Sequence, residues 1–270
     1  MLDLIEQYQP IGMIAGVEPL TRRVLEKATN LKIISRCGVG LDTVDMKAAT
    51  EFGIKVTITP DAPVPSVAEL TIGMTLSLLR KLKQLDMAVR NGSWKGPQGS
   101  LLLGKTIGIA GCGRIGTYVA KLFTAFGCEV LGYDPVLKKH DVCEMVSWED
   151  LLKKSDVITL HIPYSQENHH IIGRDQFKAM KKDVILVNAA RGGLVDEKAL
   201  YDALKNGEIA GACLDCFEEE PYNGPLKELE NTLLTAHMGS SAKEARYLME
   251  QQAAGNLLEG LKTVLAQEQL

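Results

Sequence analysis

Nine short apolar runs, spread along the chain and separated by helical patterns, constrain the fold more than any other feature. They cover residues 11–17, 31–35, 55–58, 106–110, 129–133, 156–162, 184–190, 209–213 and 232–236. Several, such as VITLHI (157–162) and VILVNAA (184–190), are apolar at successive positions rather than alternate ones. A strand with one wet face alternates; a strand covered by helices on both faces does not. Strand and helix in rotation is the signature of parallel sheets. The expectation is an α/β, doubly wound architecture.

Two helical patterns are too long for this rotation. Ser66 and Glu69 have the spacing of a capping box after Pro65, and no breaker follows until Asn91 and Gly92. One helix over this span would be about 37 Å long. Ser241 and Glu244 repeat the spacing ahead of a second amphipathic run toward the C-terminus. Two such helices flanking a central block read as crossings between domains: a nucleotide domain over 93–241, and a smaller domain from 1–92 and 242–270. A first strand near Ile11 gives the smaller domain only three strands, so an edge unit is expected to be missing.

Composition narrows the partners. The 30 basic and 34 acidic residues give a formal net charge of −4, and no run of Lys and Arg offers a footprint for nucleic acid. The opening MLDLIEQYQP lacks the basic-then-apolar order of a secretory signal, so the expected location is cytoplasmic. The apolar stretch 70–79 lies between Glu69 and Arg80, well short of the roughly 20 residues that span a bilayer, so no membrane segment is expected. Six scattered cysteines in such a chain are expected as reduced thiols.

TIGIAGCGRIG places Gly111, Gly113 and Gly116 in G-x-G-x-x-G spacing between a strand and a helix. The three glycines serve a tight turn, close approach of backbone to a pyrophosphate, and close helix–strand packing. Asp134 ends the next strand, 18 residues after Gly116, where a carboxylate can take a ribose 2′-hydroxyl and repel a 2′-phosphate. The pattern points to NAD. Lys138 and Lys139 leave some use of NADP open.

Ligands of open parallel sheets gather at the carboxyl ends of the strands. Those ends carry Arg191, Asp215, Glu220 and His237. Reducing a ketone by hydride puts charge on oxygen, which calls for a proton donor, and a substrate carboxylate calls for a planar bidentate partner. His237 and Arg191 suit these roles. Glu220 can fix the imidazole tautomer and favour its charged form. Each residue also has a plainer reading alone: a helix-end ion pair, a solvated acid, a loop histidine.

The stretches SRCGVGLDTVD, GIAGCGRIG, LGYDP, VNAARGGLVDEKAL, GACLDCFEEEP and TAHMGSSAKEA together resemble the D-isomer-specific 2-hydroxyacid dehydrogenases, most closely their phosphoglycerate dehydrogenase branch. The resemblance covers nearly the whole chain. It implies a Rossmann-type doubly wound sheet inserted in a smaller flavodoxin-like α/β substrate domain, whose usual first strand–helix unit is missing here. It implies Arg191, Glu220 and His237 as the catalytic set. Arg114 and Ile115 would present backbone to the pyrophosphate, and Asp215, Ala189 and Ala190 would line the nicotinamide end. Ile162, Gly239 and Ser240 match further cofactor-lining positions. Arg36, Val39 and Gly40 would meet the substrate with Arg191 and His237. A homodimer, with the long helix and Trp94 region as its arm, is implied as well.

Cys213 and Cys216 share a C-x-x-C spacing but have no second pair to complete a four-ligand zinc site, so the acids of this segment, not the thiols, are expected to matter, and no metal is assigned. His161, His169 and His170 lie at a strand end and loop without a thiolate or carboxylate set; His161 is expected on the cofactor wall. The family's phosphoglycerate branch usually offers an arginine in the segment that here reads AGVEPLT, with Glu18 and no arginine before Arg22. That opens two alternatives: a glyoxylate or hydroxypyruvate reductase, and a non-catalytic NAD(H)-sensing protein similar to the C-terminal-binding corepressors.

Overall fold

The computed structural model describes residues 1–267 of the 270. The chain forms two compact units, one from Met1–Val64 with the segment from Ser240 onward, the other from Pro65–Gly239.

The smaller unit starts with α1 (Leu2–Tyr8), β1 (Gly12–Ala15), α2 (Arg22–Lys27), β2 (Ile33–Arg36), α3 (Met46–Glu51) and β3 (Lys55–Thr57). The strands pair in parallel in the order β1-β2-β3, with Gly12 opposite Ile33 and Ile33 opposite Lys55. Ile5, Val24, Leu25, Ile34, Ala48 and Ala49 are buried together, which seals the three short helices to the sheet. Asp45 caps α3 by accepting from the Ala48 N–H at 2.8 Å.

The larger unit begins with α4 (Val64–Leu79) and α5 (Leu82–Arg90). These replace the single helix expected over 66–91. The chain breaks at Lys81, which is left-handed at φ 57°, because the two halves face different surroundings. α4 buries Val67, Ala68, Ile72, Met74, Leu78 and Leu79, whereas α5 buries nothing. Ser66 is not the start of α4: the helix begins two residues earlier, and the Ser66 hydroxyl donates to the Gly239 carbonyl at 2.7 Å. The expected stop is in place, with Asn91 as C-cap and Gly92 at φ 77°.

Then follow β4 (Thr106–Ala110), α6 (Arg114–Ala125), β5 (Glu129–Tyr133), β6 (Glu144–Met145), α7 (Trp148–Lys154), β7 (Val157–Leu160), α8 (Arg174–Ala179), β8 (Ile185–Asn188), α9 (Glu197–Lys205), β9 (Gly211–Leu214) and β10 (Thr232–Leu234). All pair in parallel in the order β10-β9-β8-β7-β4-β5-β6. The sheet is Rossmann-type and doubly wound: from β4 the chain moves to one side, then returns past it to β7 and builds the other. Each strand feeds two cores. Ile158, Leu186, Ala212 and Leu214 pack with Leu151, Phe177 and Leu200 of α7, α8 and α9. Val157, Ile185, Val187 and Cys213 pack with Phe123 of α6 and Met74 of α4. This explains the unbroken apolar runs, and it places α4, which the sequence groups with the smaller domain, against the larger sheet, with α5 following in the same unit.

The chain closes with α10 (Lys243–Gln267), which lies on the sheet of the smaller unit. Ser35, fully buried on β2, donates to the Ala253 carbonyl of α10 at 2.8 Å, and Asn256 donates to the Ile58 carbonyl at 3.1 Å. Gly260 and Gly12 let backbones come close: a Cβ on either would meet Ile33 or Leu257 under 3.0 Å.

Candidate active site

The point where the sheet reverses direction lies between β4 and β7, and the glycine loop sits at its carboxyl end. Gly111 has φ 94°, and a Cβ there would stand 2.7 Å from the His161 carbonyl group after β7. A Cβ on Gly116 would stand 1.9 Å from the Gly111 oxygen. Gly113, by contrast, faces open space. Glycine is thus needed at two positions for packing and at the third leaves a cradle. Gly113 caps α6, whose first turn holds Arg114 and Ile115, so N–H groups without intrahelical partners point at that cradle.

Asp134 closes the cradle after β5. One carboxylate oxygen accepts from the Cys112 N–H at 3.0 Å; the other accepts from Val136 and Leu137 at 3.0 and 3.1 Å. Burial raises its pKa, but these N–H groups and the nearby His140 outweigh burial and hold the carboxyl below its ordinary value. It is a fixed anion. Ile162 is buried beside Gly111, and His161 bonds Thr159 Oγ1 at 3.0 Å; burial pushes its imidazole down to about 3, so it stands neutral on this wall.

At the other end of the crevice, β8, β9 and β10 deliver the acid–base residues. His237 Nδ1 lies 2.8 Å from Glu220 Oε2, while Glu220 Oε1 accepts from the Phe217 N–H at 3.0 Å. The pair stays accessible, with 47% of the His237 and 37% of the Glu220 side chain exposed. His237 has φ 48°, an uncommon conformation for a residue with a side chain, and its N–H is held by the Asp215 carbonyl at 2.8 Å. Arg191 follows β8, and its guanidinium donates to the Ala190 carbonyl at 2.6 Å.

Two buried polar residues set these loops. Asn188, at the end of β8, accepts from the Ala190 N–H at 3.1 Å and donates to the Arg191 carbonyl at 2.8 Å, fixing the turn Ala189–Arg191. Sequence reasoning passed over it, although a polar side chain inside VILVNAA was the available signal. Asp215, fully buried after β9, accepts from Thr235 Oγ1 at 2.5 Å and from the Met238 and Gly239 N–H groups at 2.9 and 2.8 Å. Its carboxylate therefore shapes the His237 loop.

Backbone contact joins the Arg191 and Glu220 loops. A Cβ on Gly192 would lie 1.9 Å from the Phe217 carbonyl carbon. Glu218 and Glu197 exchange N–H to carboxylate bonds at 2.7 and 3.3 Å, and His170 Nε2 meets the same Glu218 oxygen at 3.1 Å. His170 and His169 thus serve a clasp: they stack at 3.7 Å, and Tyr164 bonds His169.

In the smaller unit, the Arg36 loop is pinned by Thr59, whose Oγ1 accepts from the Gly38 N–H at 2.8 Å. The Arg36 side chain is buried, donating to the Ala15 and Cys37 carbonyls at 3.3 and 3.5 Å. Val39 is exposed and Gly40 half-buried. Ser240 opens the returning segment. The two cysteines of C-x-x-C part: Cys213 is buried in the sheet, donating to the Met74 carbonyl at 3.4 Å, whereas Cys216 turns toward Ala190 and the acid–base pair. Among the described residues no helix is long and apolar enough to cross a membrane.

Residues 72–239 match the family model for the D-isomer specific 2-hydroxyacid dehydrogenase, NAD binding domain. The chain is 48% identical to a D-3-phosphoglycerate dehydrogenase of Methanocaldococcus jannaschii over 99% of its own length, and spans about half (52%) of that protein. It is 42% identical to a hydroxypyruvate reductase of Thermotoga maritima, over 87% of this chain and 79% of that one. Among solved structures, a glyoxylate reductase from Paecilomyes thermophila superposes with a TM-score of 0.90 at 33% identity, over 95% of this chain and 83% of that one. A family match over more than half the residues, a Rossmann-type sheet and relatives above 40% identity together leave one conclusion: the chain belongs to the D-isomer specific 2-hydroxyacid dehydrogenases, oxidoreductases that act on CH–OH with NAD(P).

Proposed function

We propose that this chain interconverts a D-2-hydroxy acid and its 2-oxo acid with NAD(H). The observation that carries the reading is the 2.8 Å pair of His237 and Glu220 at the carboxyl end of the sheet that holds the glycine cradle. Gly111, Gly113, Gly116, Arg114 and Ile115 would hold the dinucleotide pyrophosphate, with Ile162, Ala189, Ala190, Gly239 and Ser240 as further lining. The ionised, N–H-bound Asp134 would take the ribose 2′-hydroxyl and disfavour a 2′-phosphate, which supports NAD over NADP. When bound there, NADH would supply the hydride for C2 of the oxo acid.

The chain's own residues supply the rest. Glu220 accepts the His237 Nδ1 proton, which fixes Nε2 as the nitrogen that delivers a proton to the substrate oxygen. Arg191 binds the substrate carboxylate with its planar fork. Asp215 and Asn188 act earlier, by holding the His237 and Arg191 loops. A cavity of about 590 Å³ beside the pair, walled in part by Phe217, Tyr222 and Leu234, leaves room for a small acid.

The 48% relative favours a phosphoglycerate dehydrogenase-like substrate. A second reading, reduction of hydroxypyruvate or glyoxylate, is favoured by the cations near AGVEPLT: Arg22 is paired with Glu51, and Arg36 is turned onto backbone carbonyls. NADH oxidation with phosphohydroxypyruvate, hydroxypyruvate and glyoxylate separates them. A preference of kcat/KM for the phosphorylated acid supports the first; indifference to phosphate supports the second; NADH binding without turnover on any 2-oxo acid contradicts both. The chain is also proposed to pair with a second copy through α5, which exposes Leu82, Met87 and Val89 next to a Trp94 that is 92% exposed.

A further inference from the structure

Cys216 stands apart from the other buried thiols of the sheet by its neighbours. Its Sγ, a Glu220 carboxylate oxygen and a His237 ring nitrogen all lie within 4.8 Å of one another. Thiolate, imidazole and carboxylate are the three ligand types that zinc takes in proteins. The sequence weighed Cys216 only against Cys213; the fold gives it two different partners from the ends of β9 and β10.

We propose that Cys216, Glu220 and His237 form an exchangeable site for a zinc-class divalent cation that blocks the acid–base pair when filled. Tetrahedral coordination at about 2.0–2.3 Å puts neighbouring ligand atoms roughly 3.4–3.6 Å apart. The 2.8 Å contact between His237 Nδ1 and Glu220 Oε2 would open by about 0.6 Å, and the separations to Cys216 Sγ, none above 4.8 Å, would close by at most about 1.2 Å, shifts within reach of side-chain rotation.

Binding balances as an exchange. The divalent ion enters, the Cys216 thiol proton and the His237 Nδ1 proton leave to solvent, and His237 keeps the proton on Nε2. The metal then stands between imidazole and Glu220, and an imidazole that is neutral yet metal-bound holds its Nε2 proton too tightly to deliver it. Three protein ligands leave a fourth position open for water or an oxo acid. Binding stands on the geometry; only its effect on turnover rests on His237 being the proton donor proposed above.

The test uses the full chain with Co2+ as a spectroscopic stand-in and Zn2+ in a turnover assay, on wild type, C216S and C216A. Serine keeps a donor toward the Ala190 carbonyl but is a poor metal ligand. The expected result is a thiolate-to-cobalt charge-transfer band in the wild type, absent from both variants. Zn2+ should inhibit wild-type NADH oxidation reversibly with EDTA, and the half-inhibiting concentration should rise at least about tenfold in the variants. No thiolate band at saturating Co2+ in the wild type, or a band that survives in both variants, overturns the site whatever the variants' stability. The band in the wild type with turnover indifferent to Zn2+ keeps the site and instead removes His237 from the proton transfer.

Discussion

The two ends of the crevice are built by opposite means. The nucleotide end is made of backbone: Gly111 at φ 94°, the Gly116 contact that tolerates no Cβ, and N–H groups gathered on Asp134, all within 24 consecutive residues from 111 to 134. The acid–base end is made of side chains from three strand ends, Arg191 after β8, Glu220 after β9 and His237 after β10, held by buried Asn188 and Asp215. A local, backbone-built site survives the loss of most side chains and fails when a glycine is replaced. A dispersed, side-chain-built site fails with any member and depends on how its loops lean on each other.

Five substitutions sharpen that contrast. The largest effect is expected from Arg191→Ala, which should lower kcat/KM by about 10²–10⁴-fold by removing the charged partner of the substrate carboxylate. NADH affinity, followed by fluorescence, should stay near wild type; a parallel loss of NADH binding would merge the two ends.

Paired glycine replacements come next. Gly116→Ala drives a Cβ into the Gly111 oxygen and Gly192→Ala drives one into the Phe217 carbonyl group. Each should cost about 1–3 kcal/mol of stability by overpacking, read from denaturant unfolding. Their functional losses should be crossed: Gly116→Ala weakens NADH binding, whereas Gly192→Ala binds NADH but turns over slowly, because it parts the Arg191 and Glu220 loops.

Asp134→Ala leaves the Cys112, Val136 and Leu137 N–H groups without their acceptor and should weaken NADH binding by about 1–2 kcal/mol, roughly tenfold. NADPH should lose much less, so the ratio of the two dissociation constants is the readout. An unchanged ratio would remove Asp134 from cofactor choice.

The smallest effect at neutral pH concerns His161. Its pKa is about 3 in the folded chain and near 6.5 when unfolded, so the unfolded state binds the extra proton between those values. Stability should be unaffected by this group above about pH 6.5 and should fall as pH drops from there toward 3, by at most about 1.4 kcal/mol per unit. His161→Gln should flatten the acid limb of urea-unfolding stability; an unchanged slope would mean that the ring is charged in the folded state.

The same contrast explains what the sequence disclosed. The glycine spacing, Asp134 and the nine apolar runs are local patterns, and each has its strand or loop in the fold. β6 escaped because two residues, Glu144 and Met145, carry no apolar run. The break at Lys81 escaped because helix periodicity records a face, not what the face meets, and α4 and α5 meet core and solvent respectively. At the acid–base end the sequence offered residue types but not distances. It could nominate Arg191, Glu220 and His237 by position at strand ends, yet not the Asp215 bonds to Thr235, Met238 and Gly239, the Asn188 clamp, or the approach of Cys216, all of which join segments far apart in the chain.

The most direct test of the central claim is one protein, His237→Ala, measured twice: NADH binding by fluorescence titration, and NADH oxidation across phosphohydroxypyruvate, hydroxypyruvate, glyoxylate, pyruvate and 2-oxoglutarate. A nucleotide end built from backbone and an acid–base end built from side chains predict unchanged NADH affinity with turnover down by about 10²–10⁴-fold on whichever acid the wild type prefers. Wild-type turnover that persists in His237→Ala would contradict the account.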